Sequence, residues 1–312
     1  MPIATTPFPV DPQLTAVTIA YKNNRMIADD VMPRTPPVTT KQFKYNLFDL
    51  GDTFRIPETT VGRTSRPNQI EFGMSEQSGS VKDYGLDDPI PYSDIKQAPT
   101  GYDPRAHAVM SLSDLLALDR EKRVAGKVFS AANYATGSKV TLSGSSQFSD
   151  PTSDPIGVVR DALDAMVMRA NIMVIGRPAW SKLIRHPDIL KGMHGTTGDK
   201  GIATMQYIKD LYELEEIFVG EAFANGARKG QSVSMARVWG KHIALLYRDQ
   251  LANSASGRAT WGFTVQYGAR VAGAIEDRDI GIEGGVRVRV GESVAEVVAA
   301  PDLGYFIENA VA

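Results

Sequence analysis

The sequence predicts an α+β protein whose chain runs through an extended N-terminal arm, a long extended β-hairpin, one long helix, a mixed α/β region and a set of closing strands. Three observations carry this. Seven of the 18 prolines fall within the first 37 residues (Pro2, Pro7, Pro9, Pro12, Pro33, Pro36, Pro37), and proline removes backbone donors and disfavours helix in the residue before it. Apolar residues then alternate with period two between Phe43 and Met74. From Arg105 the spacing becomes helical, and period two returns in the C-terminal third.

The arm is not read as a disordered tail. Between its proline clusters, Leu14, Val17, Ile19, Tyr21, Met26, Ile27, Val31 and Met32 are too many apolar residues to stay in water. They are expected to be buried mainly on adjacent copies of the chain. The hairpin is read from Phe43, Tyr45 and Leu47, then Phe54 and Ile56, then Ile70, Phe72 and Met74. Its tip, Pro57 to Gln69, is polar and holds Gly62 and Pro67. An isolated hairpin is marginal in water, so this one needs another surface. The Gly/Asp/Pro-rich run from Gly79 to Pro104 is expected to be irregular.

The long helix is predicted from Arg105 to about Tyr134, with Leu112, Leu115, Leu116, Val124, Val128 and Phe129 on one stripe and Asp119 to Arg123 (DREKR) as a charged face. Ser111 or Ser113 is a candidate cap for a later start. A second helix is predicted from Pro155 to about Arg169 with Asp154 as N-cap, then a buried strand at Ile172 to Ile175 and a helix from Pro178 to Ile184. A further helix over Ile202 to Leu211 and strands at Glu215 to Val219 and Val238 to Tyr247 complete the mixed region. The last strands read as FTVQYGARVAGAI, then Val286, Val288 and Val290 alternating with Arg287 and Arg289, then VAEVVAA. The three valines are predicted to face the core and the two arginines to face away, free to meet acids of a neighbour.

Composition removes several classes of function. The 312 residues are 43% hydrophobic and 22% charged, enough for one or two cores. Without cysteine there are no disulfides, thiolate metal sites or Cys nucleophile. No stretch has the apolar length of a membrane span, and the N-terminus lacks the pattern of a signal peptide. A formal net charge of -2 sets up no field that attracts nucleic acid.

Catalytic and ligand motifs are missing too: there is no GxxxxGK[ST], GxGxxG, GxSxG or HExxH. The run Gly195 to Gly201 lacks the Lys-Ser/Thr ending of a phosphate loop. His107, His186, His194 and His242 are scattered, and the pair around Lys191 to Met193 has no carboxylate spacing that would make a metal site. Carboxylates gather at Asp87-Asp88, at Glu213/Glu215/Glu216 and at Glu276/Asp277/Asp279, in polar stretches that suit solvated faces or intersubunit ion pairs better than acid–base catalysis. Arg160, Arg169 and Arg185 read as water-facing helix positions, and Trp180, Trp239 and Trp261 as core or interface anchors. No catalytic, cofactor-binding or metal-binding residues are assigned.

The stretch IMVIGRPAWSKLIRHPDIL (Ile172 to Leu190) resembles one found in the major capsid proteins of tailed double-stranded-DNA bacteriophages. The end, GGVRVRVGESVAEVVAAPDLGYFIENAV (Gly284 to Val311), is similar to the C-terminus of the same family. The order of elements matches as well. The resemblance implies the Hong Kong 97-type capsid fold: residues 1–40 as N-terminal arm, 41–97 as extended loop, 98–150 with 251–312 as peripheral domain with its spine helix, and 151–250 as axial domain.

It also implies a shell of hexamers and pentamers, no enzymatic activity, no cofactor, and assembly in the host cytoplasm. A separate scaffolding protein is expected because the arm begins at once, with a portal as a further partner, and the sequence leaves open whether a decoration protein joins them. Packaged double-stranded DNA would be met non-specifically, and no membrane partner is expected. Arg63, Arg66, Arg287 and Arg289 are the candidate intersubunit contacts. Lys82 near the hairpin does not reveal whether the shell is cross-linked. Two other readings stay open: an encapsulin-like compartment enclosing cargo enzymes, and an enzyme of unrecognised class.

Overall fold

The computed structural model describes residues 26–48, 56–69, 74–99, 101–195, 201–228, 230–252 and 258–312. The arm before residue 26, with Leu14, Val17, Ile19 and Tyr21, and the hairpin positions Phe54, Ile70 and Phe72 lie outside them, as do positions 196–200 of the glycine-rich loop.

The chain enters through a short helix α1 (Ala28–Val31) and crosses to the hairpin strands β1 (Gln42–Phe48) and β2 (Met74–Ser80), paired antiparallel from Gln42 against Ser80 to Phe48 against Met74. Beyond Val81 the chain does not become irregular, as the sequence suggested. It continues as β3 (Lys82–Pro91), followed by α2 (Tyr92–Lys96). The prolines that argued against a strand, Pro89 and Pro91, are tolerated because β3 lies along one side of a longer strand, and an edge strand needs donors on one side only.

The spine helix α3 (Pro104–Val128) begins earlier and stops sooner than expected. Its cap is Asp103, whose side chain accepts from the Arg105 N–H at 3.0 Å, with Pro104 in the first turn. Ser113 is a buried interior residue that donates to the Val109 carbonyl at 2.6 Å. After Val128 a 3-10 turn (Ala131–Asn133) leads to β4 (Lys139–Thr141).

The mixed region contains α4 (Pro155–Asp164), β5 (Ile172–Gly176), α5 (Arg177–Leu183), α6 (Pro187–His194), α7 (Met205–Tyr212), β6 (Glu216–Gly220), β7 (Phe223–Asn225), β8 (Met235–Arg237) and β9 (Ile243–Leu246). Asp154 caps α4 as predicted, accepting from the Gly157 N–H at 2.8 Å, but that helix stops at Asp164. Lys191 to Met193 lie within α6, and Val238 to Tyr247 is strand only over β9.

The chain closes with β10 (Gly262–Gln266), β11 (Val271–Asp277), β12 (Gly285–Val298) and β13 (Gly304–Glu308). Two expected strands are thus one, the 14-residue β12. It pairs with β3 along Gly285 to Val294, and with β11 and β10 along successive stretches. Val286, Val288 and Val290 face Ala108, Val109, Leu112 and Leu116 of α3, so the predicted register is correct.

A second sheet runs β4-β13-β9-β5-β6. β5 is buried on both faces: Met173 and Ile175 pack under α4, α5 and α6, while Ile172 and Val174 join a core with Val124, Val128, Trp239 and Phe306. β4 and β13, grouped by the sequence with the peripheral region, are strands of this sheet. The chain end packs there too, through Ile307, Ala310 and Val311.

Candidate assembly surfaces

Three places bear on contact with other molecules: the root of the arm, the hairpin tip and the outward face of β12.

The arm root is fixed by two neighbouring residues of α3. Arg120 and Glu121, expected on a solvated charged face, are 1% and 0% exposed. Glu121 accepts from the Ile27 and Ala28 N–H groups at 2.9 and 2.8 Å, serving the unpaired donors that open α1. It also accepts from Trp239 Nε1 at 2.5 Å. Arg120 pairs with Asp29 and donates to the Met32 carbonyl at 3.2 Å and to Thr264 Oγ1 at 3.0 Å. Burial drives both away from their ordinary values: the Glu121 carboxyl is pushed up, and the Arg120 guanidinium is pushed down to about 10. Buried charges of this kind persist only when paired and hydrogen-bonded.

The root continues as bridges from Arg34 to Thr264 and from Val38 to Tyr267, and Arg248 donates to the Asp30 carbonyl. Ile27, Ala28, Val31 and Met32 are buried in the chain's own core with Val124 and Trp261. For Ile27, Val31 and Met32 this corrects the expectation that the arm's apolar residues are buried mainly on adjacent copies.

Around the root, Glu292 and Glu296 of β12 point back toward α3 and are buried. Glu292 meets Arg34 at 2.9 Å and Arg270 at 2.8 Å, and Glu296 meets Arg123 at 3.0 Å. Burial pushes the Glu292 carboxyl up, yet the two arginines outweigh it and hold the group below its ordinary value.

The hairpin tip is the opposite case. Residues 58–69 are exposed throughout. Their internal ties are local: Glu58 accepts from the Thr60 N–H at 3.1 Å, Asn68 Nδ2 donates to the Glu58 carbonyl at 2.8 Å, and Ser65 N–H donates to the Gly62 carbonyl at 2.9 Å. The Thr60 hydrogen bonds hold the Glu58 carboxyl below its ordinary value. Ile56, at the base, is 94% exposed. Neither Arg63 nor Arg66 has an acid partner among the described residues.

Arg287 and Arg289 face away from the core as predicted, and each already has an acid partner within the subunit. Arg287 pairs with Asp277 on β11, and Arg289 takes Asp87 on β3 in two hydrogen bonds of 2.7 and 2.6 Å. Cross-strand acids of the same sheet supply the partners. Of the sequence's carboxylate groups, Asp87 and Asp277 are therefore spent on sheet pairing.

The ring nitrogens of His186 are also occupied. Nε2 lies 3.1 Å from Ser153 Oγ and from the Asp150 carbonyl, and Nδ1 accepts from the Asp188 N–H at 3.3 Å, capping α6. Among the described residues no group of three or more His, Asp or Glu side chains is placed to hold a metal ion, and no helix is long and apolar enough to cross a membrane.

Sequence reasoning missed Arg120 and Glu121. A signal was present: Leu112, Leu116, Val124 and Val128 recur every four residues, and position 120 fills the gap.

The chain is 52% identical over 306 residues, 98% of its length and 98% of the other's, to a major capsid protein of Pseudomonas phage JBD67. A solved phage-related protein from Bordetella bronchiseptica RB50 superposes with a TM-score of 0.74 at 25% identity, over 98% of both chains. The capsid of cyanophage P-SCSP1u shares the fold at a TM-score of 0.60 and 11% identity, over 93% of this chain and 89% of that one. No family model matches the sequence.

Proposed function

Since this chain belongs to the major capsid protein family of bacteriophages and is a shell subunit with the Hong Kong 97-type fold, we propose that its extended loop ties one copy to the next through Arg63 and Arg66. The observation that carries this is the tip itself: a fully exposed polar segment with two arginines that meet no acid among the described residues, held in shape by its own hydrogen bonds. Arginine suits such a contact because its planar fork takes a carboxylate in two hydrogen bonds, so the receiving surface should offer Asp or Glu.

Hexamers and pentamers close the shell, and the protein works by contact alone, without catalysis. Residues 41–97 act as the extended loop, 98–150 with most of 251–312 as the peripheral domain, and 151–250 as the axial domain, which borrows β4 and β13 for its sheet. Further partners are a scaffolding protein and a portal. Assembly takes place in the host cytoplasm. Packaged DNA is met loosely, in keeping with a net charge of -2. No observation favours the cargo-enclosing compartment that the sequence left open.

The test is the double variant Arg63→Glu, Arg66→Glu. It should fold and melt as the natural protein does while giving fewer particles, and raised salt should weaken natural assembly in the same direction. Each exposed pair contributes only about 0.2 to 1 kcal/mol, but the contact recurs at every subunit. Equal particle yields at low and high salt would leave the loop's role to its apolar face.

A further inference from the structure

The two ends of the β5–β6 pair carry opposite charge. β5 and β6 run parallel, so the segments that lead into them share one end and the segments that leave them share the other. Each strand is five residues long, which separates the ends by about 16 Å.

At the leading end, α4, the 165–171 connection and α7 form an acidic ridge. Residues 160–169 and 209–216 hold six carboxylates (Asp161, Asp164, Asp210, Glu213, Glu215, Glu216) against Arg160, Arg169 and Lys209. The cations bind these segments to one another. Arg160 donates to the Leu211 carbonyl at 2.9 Å, Arg169 reaches Asp164 at 2.8 Å and Glu213 at 3.3 Å, and Lys209 meets Glu216 at 3.0 Å. Val167 stands amid the acids, 58% exposed.

The trailing end carries the β7–β8 hairpin. Residues 222–242 contain no acid, and Arg228, Arg237 and Lys241 have no acid partner among the described residues. Phe223 pairs across with Arg237, and Asn225 with Met235, so Phe223, Met235 and Arg237 share one face of the ribbon. The Arg237 guanidinium lies 4.4 Å over the Phe223 ring. The loop is held ready: Asn225 Oδ1 accepts from the Ala227 and Ser234 N–H groups, both at 3.0 Å. Phe223, Val233 and Met235 remain 44%, 72% and 58% exposed. Exposed apolar side chains ringed by cations suit a protein surface better than a polyphosphate.

We infer that this hairpin seats on the acidic ridge of the next copy, head to tail, with Met235 and Val233 meeting Val167 and with Arg228 and Arg237 meeting Asp161 and Glu215. The patches lie at opposite ends of the same strands, so they cannot satisfy each other within one subunit. A contact between unlike ends is heterologous, the kind that closes rings rather than two-fold pairs. This surface is distinct from the extended-loop tip, and either contact can fail without the other.

The test is a charge exchange: Arg228→Glu with Arg237→Glu on the hairpin, Asp161→Lys with Glu215→Lys on the ridge, and all four together. Each pair of substitutions should lower the yield of rings and particles by about tenfold or more, since a small loss per contact repeats around the ring. The fourfold variant should recover to within about threefold of the natural protein. The inference is overturned if either pair assembles normally, if the fourfold variant does no better than its parents, or if reversing the hairpin costs only DNA retention. Should a variant not fold, a second measurement decides. The chain has no cysteine, so Ser232→Cys with Ala165→Cys should oxidise to a ladder of linked subunits. A ladder supports the contact, and its absence, or dimers formed by Ser232→Cys alone, counts against it.

Discussion

The sequence reads the arm root and the hairpin tip alike, as parts of extended segments unable to stand alone, yet the two find their partners in different places. At the root, four apolar side chains enter the subunit's own core and the backbone donors of Ile27 and Ala28 meet a carboxylate already in position. At the tip nothing apolar is covered, and the polar groups close on one another. Extended backbone alone therefore does not tell whether a segment belongs to its own subunit or to a neighbour. What decides is whether the core offers a slot with matching polar groups.

The harshest way to break this contrast is to delete residues 1–30. The deletion removes Ile27, Ala28 and Asp29, which takes from Glu121 its two backbone donors and from Arg120 its carboxylate. Losing one side of such a buried pairing costs about 3 to 5 kcal/mol, so the subunit itself should melt far earlier, and assembly should fail as a consequence. An unchanged melting temperature would return the root to the class of the tip.

Glu121→Ala is the finer version. It leaves the arm in place but removes the acceptor of two backbone N–H groups and of Trp239 Nε1. With unsatisfied buried donors costing about 1 to 3 kcal/mol each, the loss in chemical denaturation should be about 3 kcal/mol, and Glu121→Gln should lose less.

Acid should act on the same joint through Glu292. Its carboxyl is depressed in the folded state, so the stability it contributes is present above the ordinary value of 4.5 and is lost as pH falls through the folded one. Glu292→Gln should lower stability at neutral pH and flatten its decline below about pH 4.5. A variant with the natural acid profile would show that Arg34 and Arg270 do not act through this carboxylate. The smallest effect on the subunit belongs to Arg63→Glu with Arg66→Glu, which should leave melting where it was.

Much of the fold was legible because burial leaves a periodic trace. The valines of β12 alternate with charged or small residues, and the structure places them as that alternation requires. β3 was not legible, since an edge strand with few buried residues carries no such trace and its two prolines argued against it. Arg120 and Glu121 were hidden by chemistry: a run of charges reads as a solvated face, and only the tertiary partners, up to 144 positions away in the chain, make burial tolerable. The tip was legible as polar and extended. The paired state of Arg287 and Arg289 was not, because their acids come from other strands, Asp87 from one remote in sequence.

The strand that leaves the hairpin gives the shell a mechanical property. β2 passes through Val81 into β3, and β3 is laddered to β12 over ten residue pairs. Its hydrogen bonds stand across the strand axis. If the tip is gripped by another copy and the wall is stretched by its contents, the pull travels along β3 and loads all ten pairs together, in shear. A sheet opened from its end gives way one pair at a time, whereas one pulled along its strands must surrender the whole ladder at once. The loop is thus joined to the body of the subunit in the orientation that best resists a pull along β3.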